Sequence, residues 1–173
     1  MRRPALLALT ALVTTLAAPP AGARAQQTDS QKVFTQSLLD DPGTTAGIKR
    51  LLTTKAGIVD PRSGFVDVTG DGRQDALVLV TTGGAAGSVA LYVFSTHGQT
   101  GADTKLRVIF ALQSLYRATL RLNGTTLTVL EPRYATGDDL CCPRKLRERD
   151  YQFVASRVGF RRVADHDVPF HVV

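Results

Sequence analysis

Ala76-Leu77-Val78-Leu79-Val80 is a run of five consecutive apolar residues, entered from Asp75 and left through Thr81, Thr82 and two glycines. Successive side chains of a strand point to opposite sides of its sheet. A strand-length run without alternation therefore has to be covered on both faces. Residues 89–94 form a second such run, in which Tyr92 and Phe94 add β propensity. Residues 106–112 form a third, interrupted only by Arg107.

Further along, the pattern changes to strict alternation. Leu120 and Leu122 flank Arg121, Leu127 and Val129 flank Thr128, and Asn123-Gly124 between them is a strong short hairpin signal. Tyr151 and Phe153 flank Gln152, and residues 158–163 are placed to return beside them. Residues 26–57 read differently. Thr28-Asp29-Ser30-Gln31 has the form of a capping box. Phe34 and Leu38, with Val33 beside them, make a short amphipathic helix that Asp40-Asp41-Pro42-Gly43 ends. A second helix starts near Thr44 or Thr45, with Ile48, Leu51 and Leu52 on its apolar face and Gly57 as its C′ residue. Helices this short need a surface to pack on. The fold class is α+β: a mostly antiparallel sheet of about six or seven strands with two short N-terminal helices on one face.

The first 25 residues stand apart. Arg2 and Arg3 precede an uncharged stretch from Ala5 to Ala18, Pro19 and Pro20 break it, and Ala23-Arg24-Ala25 is a small-x-small cleavage pattern. That is the layout of a secretory signal peptide, cut after Ala25, and the stretch is short for a bilayer span. Residues 1–25 are the leader and 26–173 a single globular α+β domain, secreted or held at the cell envelope. Its size of about 148 residues suffices for a real core. No second long apolar run follows, so no membrane span is expected in the mature protein. The leader carries three of the 21 Lys and Arg residues and none of the 15 acids, so the mature chain is near +3 rather than +6. Its positive charge gathers late, at Arg144, Lys145, Arg147, Arg149, Arg157, Arg161 and Arg162, but Glu148, Asp150, Asp165 and Asp167 are interleaved with it. A solvated mixed-charge face is expected, and nucleic acid is not expected as a partner. The absence of tryptophan argues against a stacking platform. Gly83-Gly84-Ala85-Ala86-Gly87 lies between strands with no helix after it, so it is a strand connection and not a phosphate loop.

The most specific motif is Asp67-Val68-Thr69-Gly70-Asp71-Gly72-Arg73-Gln74-Asp75. Oxygen-bearing side chains recur at Asp67, Thr69 and Asp71, and the Arg73 carbonyl and the Asp75 carboxylate continue the series. A hard cation such as Ca²⁺ takes six to eight oxygens, and a chain turning at Gly72 can converge them. The position that would carry the bidentate glutamate of a helix-loop-helix site is Val78, so an EF-hand is excluded. The same residues also suit a plain turn, with Asp67 and Asp75 as its caps. This loop with its following apolar strand resembles, over about residues 64–82, the D-x-D-G-D-G-x-x-D units of FG-GAP and VCBS-type repeats. That resemblance implies a loop between strands that holds Ca²⁺; Thr69 stands where those families usually have Asp or Asn. A broader likeness, carried by Asp-x-Thr-Gly-Asp-Gly and a later Cys-Cys-Pro, is to small secreted actinobacterial proteins of unassigned activity.

Cys141 and Cys142 are the only cysteines and are neighbours. That spacing is neither a thioredoxin-type nor a zinc-knuckle pattern. In an oxidising compartment they are expected to bond to one another, although adjacent Cα atoms are closer than disulfides prefer. The expected role is a stiff loop element ahead of Pro143, and the 133–147 loop, with Arg133, Tyr134, Pro143, Arg144 and Lys145, is the candidate contact surface. No G-x-S-x-G occurs; His97 sits in a turn, and Asp165-His166-Asp167 with His171 lies in a tail. Asp138 and Asp139 read as loop acids rather than half of a glycosidase pair. The function these features favour is a secreted, non-enzymatic binding or structural domain, meeting a cell-wall polymer or another extracellular protein. The alternative is an extracellular hydrolase with a site assembled from distant residues.

Overall fold

The computed structural model describes residues 28–60, 64–101 and 104–170. The leader, its cut site and His171 lie outside the described residues.

Two helices open the described chain. In α1 (Asp29–Asp40) the capping box forms: Thr28 Oγ1 accepts from the Gln31 backbone N–H at 3.3 Å, and Gln31 Oε1 accepts from the Thr28 N–H at 2.8 Å. Phe34 and Leu38 are buried, one turn apart, while Val33 is 59% exposed and takes no part in the buried face. α2 (Ala46–Thr53) buries Ile48 and Leu52. It ends earlier than Gly57: the left-handed residue after the helix is Lys55, at φ 58°. Gly57 serves another purpose. It is the first residue of β1 (Gly57–Asp60), and a Cβ there would lie 3.1 Å from the Leu51 Cβ, so glycine lets helix and strand approach. Gln113 ties the helix pair to the sheet. Its amide donates to the Gly43 carbonyl at 2.8 Å, and its oxygen accepts from the Thr45 N–H at 2.7 Å and the Tyr92 hydroxyl at 3.0 Å.

The strands form two antiparallel sheets. The first has β1, β2 (Phe65–Val66), β3 (Asp75–Thr82), β4 (Ser88–Ser95) and β5 (Arg107–Leu112), in the order β1-β3-β4-β5, with β2 also pairing with β3. The second is a meander of β6 (Thr119–Asn123), β7 (Thr126–Arg133), β8 (Lys145–Val154) and β9 (Gly159–Pro169). Among the described residues nine strands in two sheets replace the six or seven expected in one. The two additions, β1 and β2, are four and two residues long, too short to show a period. Nor does alternation reveal whether a chain of hairpins extends a sheet or folds back over it. Here it folds back: Leu115 and Ala118 donate to the carbonyls of Val89 and Ser88, and the chain then enters the second sheet. The β6–β7 hairpin forms as expected, but Asn123 pairs with Thr126, so its turn is Gly124-Thr125.

These elements stack as helices, five-stranded sheet and four-stranded sheet, with β3 and β4 in the middle. Val78, Val80, Ala90, Tyr92 and Phe94 join Phe34, Leu38, Ile48 and Leu52 in the helix-side core. Leu77, Leu91 and Val93 join Leu127, Val129 and Tyr151 on the other side. Every one of those β3 and β4 residues is 2% exposed or less, as the unbroken apolar runs require. Each such Val, Leu or Phe side chain contributes about 1.5–3 kcal/mol on burial. Phe110 of β5 meets both Tyr151 and Phe160, with ring centroids 5.0 Å apart, and so joins the two sheets at one edge. Among the described residues no helix is long and apolar enough to cross a membrane.

Candidate functional site

The acidic loop joins β2 to β3, and its carboxylates act mainly on its own backbone. Asp67 Oδ1 accepts from the N–H groups of Gly70 and Asp71 at 2.6 and 3.2 Å and from the Thr69 hydroxyl at 3.4 Å; Oδ2 accepts from the Gly72 N–H at 2.8 Å. Burial alone would raise this carboxyl's pKa, but the N–H groups of Gly72, Gly70 and Asp71 and the Thr69 hydroxyl hold it below its ordinary value. Gly70 and Gly72 sit at φ 74° and 82°, the left-handed backbone that the turn needs. Asp71 Oδ1 accepts from the Arg73 N–H at 2.9 Å, and its Oδ2 lies 3.1 Å from His97 Nδ1. Asp75 is fully buried. Its Oδ2 accepts from the N–H groups of Val68 and Thr69, both at 3.0 Å, while Oδ1 has no hydrogen-bond partner among the described residues. Thus Asp67, Thr69 and Asp71 share one loop that Asp75, the first residue of β3, closes, and Arg73 anchors it outward through its guanidinium to the Gln99 carbonyl at 3.1 Å. Among the described residues no three His, Cys, Asp or Glu side chains are grouped as a metal site.

The His97 contact was not legible in the sequence. His97 is 26 positions from Asp71. Its ring also packs edge-on against Phe153 at 4.7 Å, which ties the loop to the second sheet.

The second feature lies at the β7–β8 end of the second sheet, where residues 134–144 connect the two strands. Asp138, with its side chain only 2% exposed, organises this connection. Its Oδ2 accepts from the Ala135 and Arg144 N–H groups at 2.9 and 3.0 Å, and its Oδ1 meets Arg144 Nε at 3.0 Å. Those two backbone donors, with the Arg144 charge, hold the carboxyl below its ordinary value against the opposing effect of burial. The Tyr134 hydroxyl donates to the Leu140 carbonyl at 2.8 Å. Cys141 and Cys142 lie within disulfide-bonding distance of each other, with Cα atoms 3.8 Å apart.

This stapled connection borders an open cleft of about 170 Å³ on the outer face of the sheet. Leu130, Pro132 and Leu146 come from β7 and β8, and Tyr134, Leu140, Cys141 and Pro143 from the connection. Arg117, Thr119 and Phe170 complete the lining. Of the contact residues expected from sequence, Tyr134 and Pro143 line the cleft; Arg133, Arg144 and Lys145 do not. Arg133 is turned toward Asp167 at 3.7 Å and Arg144 toward Asp138. Leu130, an apolar residue where the β7 alternation calls for a polar one, adds a sheet wall that the sequence reading did not single out. Arg117 and Phe170 gave no sign, being brought in by topology.

Several of the late charges pair across β7, β8 and β9. Asp165 accepts from Arg147 Nε and Nη2, both at 2.7 Å, and lies 2.7 Å from Arg162; Arg149 meets Glu131. The Arg147 guanidinium in particular pulls the Asp165 pKa down to about 2. Asp165, His166 and Asp167 belong to β9 and not to a loose tail. Alternation puts the two aspartates on one face and His166 on the other, 3.9 Å from Glu148.

No protein-family model, no curated protein and no solved structure matches the chain.

Asp138 carries a pH prediction. A carboxyl whose folded pKa is depressed stabilises its surroundings above the unfolded value, and that contribution disappears as pH falls through the folded value. The 134–144 connection should therefore hold at neutral pH and loosen below about pH 3.8, the ordinary value. Hydrogen exchange at the Ala135 and Arg144 amides, the two that Asp138 caps, reads this directly. In Asp138→Ala both amides should exchange fast already at neutral pH. Equal protection in the variant and the parent would contradict the assignment.

Proposed function

We propose that the chain is secreted by its leader, cut after Ala25, and works as a non-enzymatic binding domain for an extracellular polypeptide. The observation that carries this reading is the 134–144 cleft. Its walls are mostly apolar, and its polar side chains, Arg117, Thr119 and Tyr134, do not make a nucleophile and base pair. Its volume is below the 300–1,000 Å³ usual for small-molecule sites and suits one side chain of a larger partner. The Asp138 staple and the Cys141-Cys142 pair restrict the connection beforehand, which lowers the ordering cost of binding. The test uses end-blocked tripeptides with leucine or serine at the centre, followed by amide chemical shifts. The leucine peptide should shift Tyr134, Leu140, Cys142 and Phe170, with a Kd of about millimolar, and the serine peptide should not. No shifts with either peptide would overturn the reading.

One further observation favours the acidic loop as a calcium site. A fully buried carboxylate oxygen without a partner is costly, and among the described residues Asp75 Oδ1 is one. A cation held by Asp67, Thr69, Asp71 and Asp75, with the Arg73 carbonyl, would satisfy it. Binding raises stability with the logarithm of free ion above Kd, about 2.7 kcal/mol at 100 Kd, and extracellular sites commonly have Kd near 10⁻⁴ to 10⁻³ M. Millimolar Ca²⁺ should raise Tm by several degrees over chelator, and Asp71→Ala should remove that difference. An unchanged wild-type Tm would leave the loop as a turn capped by its own side chains.

A further inference from the structure

The chemistry of the same cleft narrows its ligand, on the footing of the binding reading above: we infer that it takes the carboxy-terminal residue of an extracellular polypeptide, with the apolar side chain in the cleft and the terminal carboxylate on Arg117. Three other guanidiniums near this end of the sheet are committed: Arg144 to Asp138, Arg133 to Asp167 and Arg121 to Glu148. Arg117 lines the cleft, and its guanidinium makes no hydrogen bond or ion pair with the described residues. An unpaired planar fork beside an apolar wall is complementary to a carboxylate, which it can hold through two parallel hydrogen bonds.

The backbone fixes where that fork starts. Arg117 is held at φ 50°, in the left-handed region that costs a side-chain-bearing residue energy. Its N–H donates to the Ala86 carbonyl at 2.8 Å. Gly87, itself at φ 57°, packs so closely that a Cβ on it would lie 3.3 Å from the Arg117 Cα. The glycine-rich β3–β4 connection thus serves as the seat of this arginine.

A chain terminus fits the pair of features better than an internal acidic residue. At a terminus the carboxylate and the apolar side chain share one Cα, so both can engage a cleft of one side-chain volume at once. An internal Asp or Glu has its charge where the apolar group must go. A fatty acid has the right polarity but too long a chain for about 170 Å³. Cell-wall stem peptides ending in a D-residue offer the same groups with inverted handedness, so the test includes them.

The experiment titrates the secreted protein at low salt with three acetylated tripeptides: one ending in L-leucine acid, its C-terminal amide, and one ending in D-leucine acid. Binding is read by calorimetry and amide shifts. The L-acid should bind at least tenfold tighter than the amide and the D-acid. Arg117→Asn, a residue tolerated in left-handed backbone, should erase the gap between acid and amide while leaving the melting curve unchanged. Leu140→Gln should weaken acid and amide alike. Equal binding of acid and amide would overturn the carboxylate assignment and leave the binding reading standing. Tighter binding of the D-acid would overturn the polypeptide source. No binding by any of the three would overturn both this inference and the reading it rests on.

Discussion

Burial of β3 and β4 on both faces is the constraint from which the rest of the structure follows. Side chains of one strand alternate between two cores, so Val78 and Val80 face the helices while Leu77 faces the second sheet. Remove either covering layer and half of that central pair is exposed to water. The helices are too short to stand alone, and the four-stranded meander has an apolar inner face of its own to cover. Each outer layer is thus stabilised by the same two strands.

Around this centre, half-buried and buried acids organise connections. Asp67 and Asp75 order the loop that leads into β3, and Asp138 orders the loop between β7 and β8. In each case one carboxylate accepts from two or more backbone N–H groups that would otherwise be unpaired in a turn. The consequence for function is that irregular segments hold a fixed shape. The cleft beside Tyr134 and Leu140 owes its walls to such a segment, laid over a sheet face that would otherwise show Leu130, Pro132 and Leu146 to solvent.

Much of the fold was legible because its strongest signals are local. The unbroken run at 76–80 announced a doubly covered strand, Thr28 and Gln31 announced the first helix, and Asn123-Gly124 announced a hairpin. What was missed depends on how distant pieces meet. Two sheets were read as one because hairpins do not encode the fold-back at 113–118. Lys55 takes the left-handed position after α2, and Gly57 instead lets the strand approach Leu51. At the site, adjacency and proline marked Cys141, Cys142 and Pro143 as one stiff element of a 133–147 loop that also holds Tyr134, whereas Arg117 and Phe170 reach the cleft only through topology. His97 reaches Asp71 by the same route, across 26 positions.

Native-state hydrogen exchange tests the central claim most directly, because it ranks the free energy of opening segment by segment. If β3 and β4 hold both outer layers, the amides of residues 77–80 and 90–93 should exchange only through global unfolding, at the highest opening free energy in the molecule. Amides of β8 and β9 should open at lower cost. Protection of β7 and β8 that outlasts β3 and β4 would contradict the account, since the second sheet would then be stable without the strands it is built upon.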